Sequence, residues 1–266
     1  MNLADGKSLA LRVTDEVIDL IKNESSVPKI TVIACEPNFE TKKFLALKKA
    51  KAETLGVEMK NIILSNNNGT SELVETVETE AKKADGIIVQ LPLPAHIDTD
   101  QVLGAIPKNK DVDAFGYEGE KTEILPPVVG AIEEMAKFYK IEWNGKKVVV
   151  FGQGRLVGKP VVAYATAMGA EVTIIDETST DVKEKTKNAD IIVLGVGRPN
   201  LLTADMVKEG VVVFDAGASE DGGLLVGDAN LSVASKALLL TPVPGGIGPL
   251  TVILLFRNLL KLKSRQ

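Results

Sequence analysis

Val148-Val149-Val150-Phe151-Gly152-Gln153-Gly154-Arg155-Leu156-Val157-Gly158 reads as a β-branched strand that enters a glycine turn and then the start of a helix. A turn of this kind leaves main-chain N–H groups unpaired at a helix N-terminus, where a pyrophosphate can accept them and the helix dipole favours its charge. The third glycine comes one residue later than in G-x-G-x-x-G, so an ordinary strand-to-helix turn stays open as a reading. Asp176 closes the next apolar run, Val172 to Asp176. An acidic side chain there either accepts from a ribose diol or caps a helix. Together the two features favour a nucleotide.

Outward from this turn, short β-branched runs alternate with segments of helical period, the pattern of parallel strands joined by crossover helices. The strands are expected at Ile30–Ala34, Ile62–Leu64, Ile87–Gln90, Lys147–Phe151, Val172–Asp176, Ile191–Gly195 and Val211–Asp215. Helices are expected over Asp5–Ile21, Thr41–Leu55, Ser71–Lys83, Val128–Tyr139 and Val157–Met168. The fold class is therefore α/β. Between Ile106 and Pro127 the periodicity lapses into Pro107, Gly116, Gly119 and Pro126-Pro127, which places a domain boundary there.

The composition narrows the function. With 31 Lys+Arg against 36 Asp+Glu, the net charge of −5 gives no general attraction to nucleic acid or anionic membranes. Aromatic residues make up 4% of the chain, too few for a base-stacking platform. A single cysteine, Cys35, forbids an internal disulfide, and the lone His96 leaves no His/Cys cluster for a transition metal. We expect small-molecule partners, no metal, no nucleic acid, no membrane insertion and a cytoplasmic location. The apolar run at Val252–Phe256 is far too short to span a bilayer.

The segment Thr241-Pro242-Val243-Pro244-Gly245-Gly246-Ile247-Gly248-Pro249-Leu250-Thr251 is dense in proline and glycine, so it is either a rigid turn or a backbone surface shaped for a ligand. Three other words join it in order: Gly86-Ile87-Ile88-Val89-Gln90-Leu91-Pro92-Leu93-Pro94, Lys110-Asp111-Val112-Asp113 and Val157-Gly158-Lys159-Pro160. In these words, across nearly its whole length, the chain resembles the methylenetetrahydrofolate dehydrogenase/cyclohydrolase family of the bifunctional FolD type.

The resemblance implies a folate-binding lobe over residues 1–118, completed by a C-terminal helix over 249–266, and a Rossmann-like dinucleotide domain over 119–248. It implies oxidation of 5,10-methylenetetrahydrofolate with NAD or NADP, hydrolysis of the methenyl product to 10-formyltetrahydrofolate, and a homodimer. The family's catalytic lysine falls on Lys48, which without the resemblance reads as one more solvated lysine among Lys42, Lys43, Lys49 and Lys51. Gln90 matches the glutamine that supports the lysine, though a water-facing edge glutamine is the plainer reading. Asp113 matches the aspartate that grips the amino-pyrimidine edge of the pterin, where a carboxylate accepts two N–H bonds; by itself it reads as a turn aspartate. Folate contacts are further implied at Phe44, Val89, Leu91, Pro244, Gly245, Gly246, Ile247, Gly248 and Pro249. Cofactor contacts are implied at Gly152, Gln153, Gly154, Arg155, Val157, Asp176, Gly197 and Ala218.

The departures from the family pattern carry chemistry. Phe44 stands where a tyrosine is usual, one helical turn before Lys48, so a hydroxyl that could orient the lysine or a water is missing and hydrolysis is expected to weaken. Ala114 replaces a glycine, which reads as a small change. Leu125-Pro126-Pro127-Val128 replaces the usual Pro-Cys-Thr-Pro word. Gln153 replaces an arginine that meets the 2′-phosphate of NADP; with Asp176 it favours NAD, unless Arg155 or Lys159 compensates. Two rival readings remain: a shikimate-type two-domain dehydrogenase, whose own words are missing, and a folate-binding protein that has lost catalysis.

Overall fold

All seven expected strands form, and each is parallel to its neighbours. The structure is a computed structural model and describes residues 3–37 and 39–265. In chain order its elements are α1 (Gly6–Lys22), β1 (Lys29–Cys35), α2 (Phe39–Leu55), β2 (Glu58–Leu64), α3 (Thr70–Ala81), β3 (Gly86–Val89) and α4 (Thr99–Gly104). There follow α5 (Pro127–Tyr139), β4 (Lys147–Phe151), α6 (Gly158–Ala167), β5 (Glu171–Ile175), α7 (Val182–Asn188), β6 (Ile191–Leu194) and β7 (Val212–Asp215). A hairpin of β8 (Ser219–Asp221) and β9 (Leu224–Val226), the two-residue β10 (Leu239–Leu240) and α8 (Ile247–Lys263) complete the chain.

The chain divides into two compact units. One comprises Val13–Gly116, Glu123–Leu125 and the residues from Val252 onward; the other comprises the residues up to Arg12, Tyr117–Thr122 and Pro126–Thr251. α1 and α8 each contribute residues to both.

The first unit is built on a three-stranded sheet in the order β2-β1-β3. β1 and β3 are buried almost throughout, whereas β2 alternates as an exposed edge. That is why only the apolar end of β2 is legible as a strand: Glu58, Lys60 and Asn61 break its hydrophobic run. After β3 the segment Lys110–Val112 returns beside it, with Asp111 bridging to Ile87 in parallel. A Cβ on Gly86 would stand 2.6 Å from Val112 Cγ1 and 2.7 Å from Leu259 Cδ1, so the close fit of this segment and α8 on β3 depends on that glycine.

The second unit holds a five-stranded parallel sheet in the order β10-β7-β6-β4-β5. Val148, Val150, Ile192, Val193, Val213 and Phe214 are wholly buried in it; each such side chain contributes roughly 1.5–3 kcal/mol over exposure. The amino-terminal residues join this unit: Leu3 bridges to Leu240, and Ala4 N–H donates to Leu240 O at 2.9 Å. The β8–β9 hairpin turns on Gly222 and Gly223, both at positive φ as a tight two-residue hairpin requires. Among the described residues, no helix is long and apolar enough to cross a membrane, and no group of three His, Cys, Asp or Glu side chains could hold a metal ion.

Candidate active site

On α2 the buried positions are Thr41, Leu45, Lys48, Ala52 and Leu55, a single inward stripe at helical spacing. Lys48 occupies the middle of that stripe and is 9% exposed, unlike Lys42, Lys43 and Lys49. Its Nζ donates to Gln90 Oε1 at 2.7 Å. Gln90 is itself fixed at the end of β3: its N–H donates to Ile33 O at 2.8 Å and its Nε2 to Leu91 O at 2.8 Å. With the amide nitrogen so engaged, Oε1 is turned to the ammonium. Burial lowers the pKa of Lys48 below the ordinary lysine value, and the charge of Asp113 opposes that shift.

Asp113 lies two residues past the bridge between Asp111 and Ile87, in the same unit as Lys48 and Gln90. It keeps part of its surface open, yet its surroundings push its carboxyl from 3.8 up to about 7, chiefly by desolvation, with Lys48 lowering it and Asp111 raising it further. Asp111 serves the turn: its Oδ2 accepts the Phe115 N–H at 2.7 Å. The turn leaves Ala114 at φ +52°, in the left-handed region. The Gly-to-Ala change expected to be small is therefore a strained one, because a Cβ in that region costs roughly 1–2 kcal/mol.

Sequence reasoning passed over Asn258. Buried on α8, it donates from Nδ2 to Val112 O at 2.9 Å and to Leu125 O at 2.8 Å, pinning the residue that precedes Asp113. A lone asparagine inside the apolar run of α8 was the signal, since a buried amide must find partners. Phe44 stands one turn before Lys48 and is 49% exposed. Val89 is buried in β3, and Leu91, half-buried, begins the loop with a cis bond to Pro92.

The glycine-proline loop belongs to the other unit. Val243–Pro244 is cis, and Gly245 has φ +109°. A Cβ on Gly246 would stand 2.6 Å from Pro242 O, and one on Gly6 only 1.9 Å from Gly246 O. The space gained at Gly246 is thus taken up by the protein's own backbone, whereas the nearest atom to a Cβ on Gly245 is Lys7 Cε at 3.7 Å. Pro244 and Gly248 are exposed, Pro249 is half-buried, and Ile247 is buried as the first residue of α8.

In the same unit Gly152 follows β4 at φ +78°, and its N–H donates to Ile175 O at 2.7 Å. Gln153, Gly154 and Arg155 are exposed, and Val157 is half-buried. Gly158 opens α6; a Cβ there would lie 2.2 Å from Gly152 O and 2.9 Å from Gln153 Cα. Backbone cannot yield to such a contact, so the late third glycine still performs the close helix-to-strand packing of a dinucleotide turn. Asp176 is exposed at the end of β5, where its Oδ1 accepts from Thr178 N at 3.0 Å, Thr178 Oγ1 at 2.8 Å and Ser179 Oγ at 3.0 Å; these bonds hold its pKa below the ordinary value. Gly197 has φ +70°, and Ala218 is exposed just past β7. The glycine turn, the N-terminus of α6 without a side-chain cap and the acidic residue at the end of the next strand fit a nicotinamide dinucleotide.

These features define a two-unit α/β protein with Lys48, Gln90 and Asp113 in one unit and a dinucleotide-type turn in the other. Family models narrow this further: the tetrahydrofolate dehydrogenase/cyclohydrolase catalytic domain matches residues 4–113, and the NAD(P)-binding domain of the same family matches residues 126–266. The chain belongs to the tetrahydrofolate dehydrogenase/cyclohydrolase family. It is 36% identical over 282 residues to the bifunctional protein FolD of Campylobacter hominis, covering 98% of this chain and 96% of that protein. The crystal structure of the bifunctional FolD dehydrogenase/cyclohydrolase from Campylobacter jejuni superposes with a TM-score of 0.94 at 33% identity, covering 100% of this chain and 99% of that one. The Trypanosoma brucei enzyme, solved with NADP cofactor and an inhibitor, gives 0.90 at 29% identity, covering 99% and 97%.

Proposed function

We propose that this chain oxidises 5,10-methylenetetrahydrofolate to the 5,10-methenyl form with a nicotinamide dinucleotide and hydrolyses the product to 10-formyltetrahydrofolate. The observation that carries the reading is the buried Lys48 ammonium hydrogen-bonded to Gln90 in the unit that also holds Asp113. Family membership over both parts of the chain leaves the shikimate-type reading without support.

Asp113 supplies a carboxylate for the amino-pyrimidine edge of the pterin, and Asn258 steadies the turn that presents it. The exposed Phe44 ring and the half-buried Leu91 offer apolar surface to the pterin, whereas Val89, buried in β3, backs the segment from within. When bound, the dinucleotide supplies the hydride acceptor, held by the Gly152–Arg155 turn, Val157, Asp176, Gly197 and Ala218. Loss of hydride from the one-carbon bridge leaves a cation delocalised over two nitrogens, so the first step asks mainly for alignment. In the second, water adds to that carbon, the bond to one ring nitrogen breaks, and two protons leave the water, one to that nitrogen and one to solvent. Lys48 is the group placed to exchange them: its lowered pKa brings the neutral amine closer to neutral pH, and Gln90 fixes its direction. The missing hydroxyl at Phe44 makes this second step the weaker one.

The functional lobes we assign are residues 1–118 with 249–266, and 119–248. The chain acts on folates as a cytoplasmic homodimer and prefers NAD, because neutral Gln153 brings no cation and Asp176 brings an anion to the region of a 2′-phosphate. Decay of methenyltetrahydrofolate absorbance without nucleotide tests the hydrolysis. Light scattering tests the dimer, and kcat/KM for NAD against NADP tests the preference; a higher value for NADP would contradict it.

A further inference from the structure

In the five-stranded sheet the chain leaves β4 for β5 on one side and then crosses back to β6 on the other. In open parallel sheets a ligand crevice lies at the carboxyl ends of the two strands that flank such a reversal. Here those ends are the turn 152–157 after β4 and the turn 195–198 after β6. The two turns touch: a Cβ on Gly152 would stand 2.6 Å from Val196 Cγ1, and one on Gly195 would stand 2.4 Å from Val157 Cγ1.

The turn after β6 has no helix or ladder to hold it. It is held by Asp228, which is wholly buried. Asp228 Oδ2 accepts the N–H groups of Val196 at 2.8 Å and Gly197 at 3.2 Å, and its Oδ1 accepts that of Arg198 at 2.7 Å. Asp228 is fixed in turn by a second buried carboxylate, Asp215 at the end of β7. Asp215 Oδ1 accepts the Asp228 N–H at 3.2 Å and the Gly217 N–H at 2.9 Å, and its Oδ2 accepts the Ala229 N–H at 2.8 Å. Two glycines make room for the pair: a Cβ on Gly217 would stand 2.3 Å from Asp228 Cγ, and one on Gly227 would stand 2.2 Å from Asp215 Oδ2. A buried anion is costly unless several donors meet it. Three consecutive N–H groups turned onto one carboxylate fix the turn in a single conformation, which a neutral amide, with one acceptor oxygen, cannot do.

We propose that Asp228 is a positioning residue for nucleotide binding, holding the 195–198 turn as the β6-side wall of the crevice opposite the Gly152 turn. It acts through the main chain of Val196, Gly197 and Arg198. The inference rests on the nicotinamide-dinucleotide reading of this unit.

The test is calorimetric titration of NAD and NADP into the full chain, its Asp228→Asn variant and its Asp228→Ser variant, with steady-state KM values for both substrates. Asp228→Asn, nearly isosteric, is expected to raise the Kd and KM for nucleotide at least tenfold while the KM for methylenetetrahydrofolate stays within about twofold. Should Asp228→Asn not fold, Asp228→Ser leaves a single short acceptor in the place of the carboxylate and is expected to give the same split. Nucleotide affinity within twofold of the parent in either folded variant overturns the proposal, as does a parallel rise in both KM values. Failure of the parent to bind either nucleotide defeats the underlying reading instead.

Discussion

Lys48 and Gly158 show two ways of building a reactive protein. In the first unit the chemistry rests on charged side chains drawn out of water: a lysine inside a hydrophobic stripe and an aspartate whose carboxyl is pushed up to about 7. In the second it rests on main chain, shaped by glycines whose Cβ positions are already filled and by carboxylates that take up N–H groups. Side-chain chemistry should fail in kind when a residue is changed, whereas backbone shaping should fail in affinity and stability. The following variants test that contrast.

The largest effect is expected at Lys48. Lys48→Met removes the proton-exchanging group while keeping its apolar stem, so methenyl hydrolysis should fall about a thousandfold, within the range that positioned acid–base groups supply. Hydride transfer should fall by about tenfold or less, because it needs alignment rather than a proton carrier. Hydrolysis at the parental rate, read as methenyl absorbance, would remove Lys48 from the mechanism.

Asp113 comes next, with a pH signature of definite sign. The pterin edge needs the ionised carboxylate, so the KM for folate should rise as pH falls through about 7. Stability runs the other way. A folded pKa raised from 3.8 contributes stability that is present below the unfolded value and lost as pH rises through about 7. Asp113→Asn should flatten this component of the denaturation profile and raise the folate KM roughly 30- to 100-fold, as expected for losing a charge-assisted bidentate contact. An unchanged KM would place the pterin elsewhere.

Gly158→Ala tests the other unit. Its methyl would meet backbone at 2.2 Å, an overpacking worth about 1–3 kcal/mol, so nucleotide affinity should fall about tenfold and the melting temperature should drop by several degrees. A smaller change is expected from Gln153→Arg, which adds a cation on an exposed turn and should shift the NADP/NAD ratio of kcat/KM about three- to tenfold toward NADP. Smallest is Ala114→Gly. It relieves the left-handed strain but loosens the unfolded chain, for a net gain of about 1 kcal/mol or less in chemical denaturation.

The same contrast explains what was legible in the sequence. Seven β-branched runs and five helical periods emerged as elements, because burial imposes its period directly on residue type, and the last helix was implied by the family resemblance. The short α4 and α7 and the two-residue β10 did not, since they are too brief to display a period; the β8–β9 hairpin had a signal in Asp221-Gly222-Gly223. Lys48 was singled out by family resemblance, although its place in the stripe Thr41, Leu45, Ala52, Leu55 was readable as a polar residue at a core position. Asp228 was not readable in this way, and Asn258 was readable only as a polar residue in an apolar run, without its partners. Their partners are main-chain groups distant in sequence, Val196 to Arg198 for one and Val112 and Leu125 for the other, and no residue-type pattern records a backbone hydrogen bond. Gly6 was missed for the same reason, since its neighbour is the carbonyl of Gly246.

The most direct test is a single spectrophotometric time course of the purified chain with methylenetetrahydrofolate and NAD. Reduced nucleotide should appear first, with methenyl absorbance rising and then decaying to 10-formyltetrahydrofolate. Tight folate binding with no reduced nucleotide, with NAD or with NADP, would contradict the account.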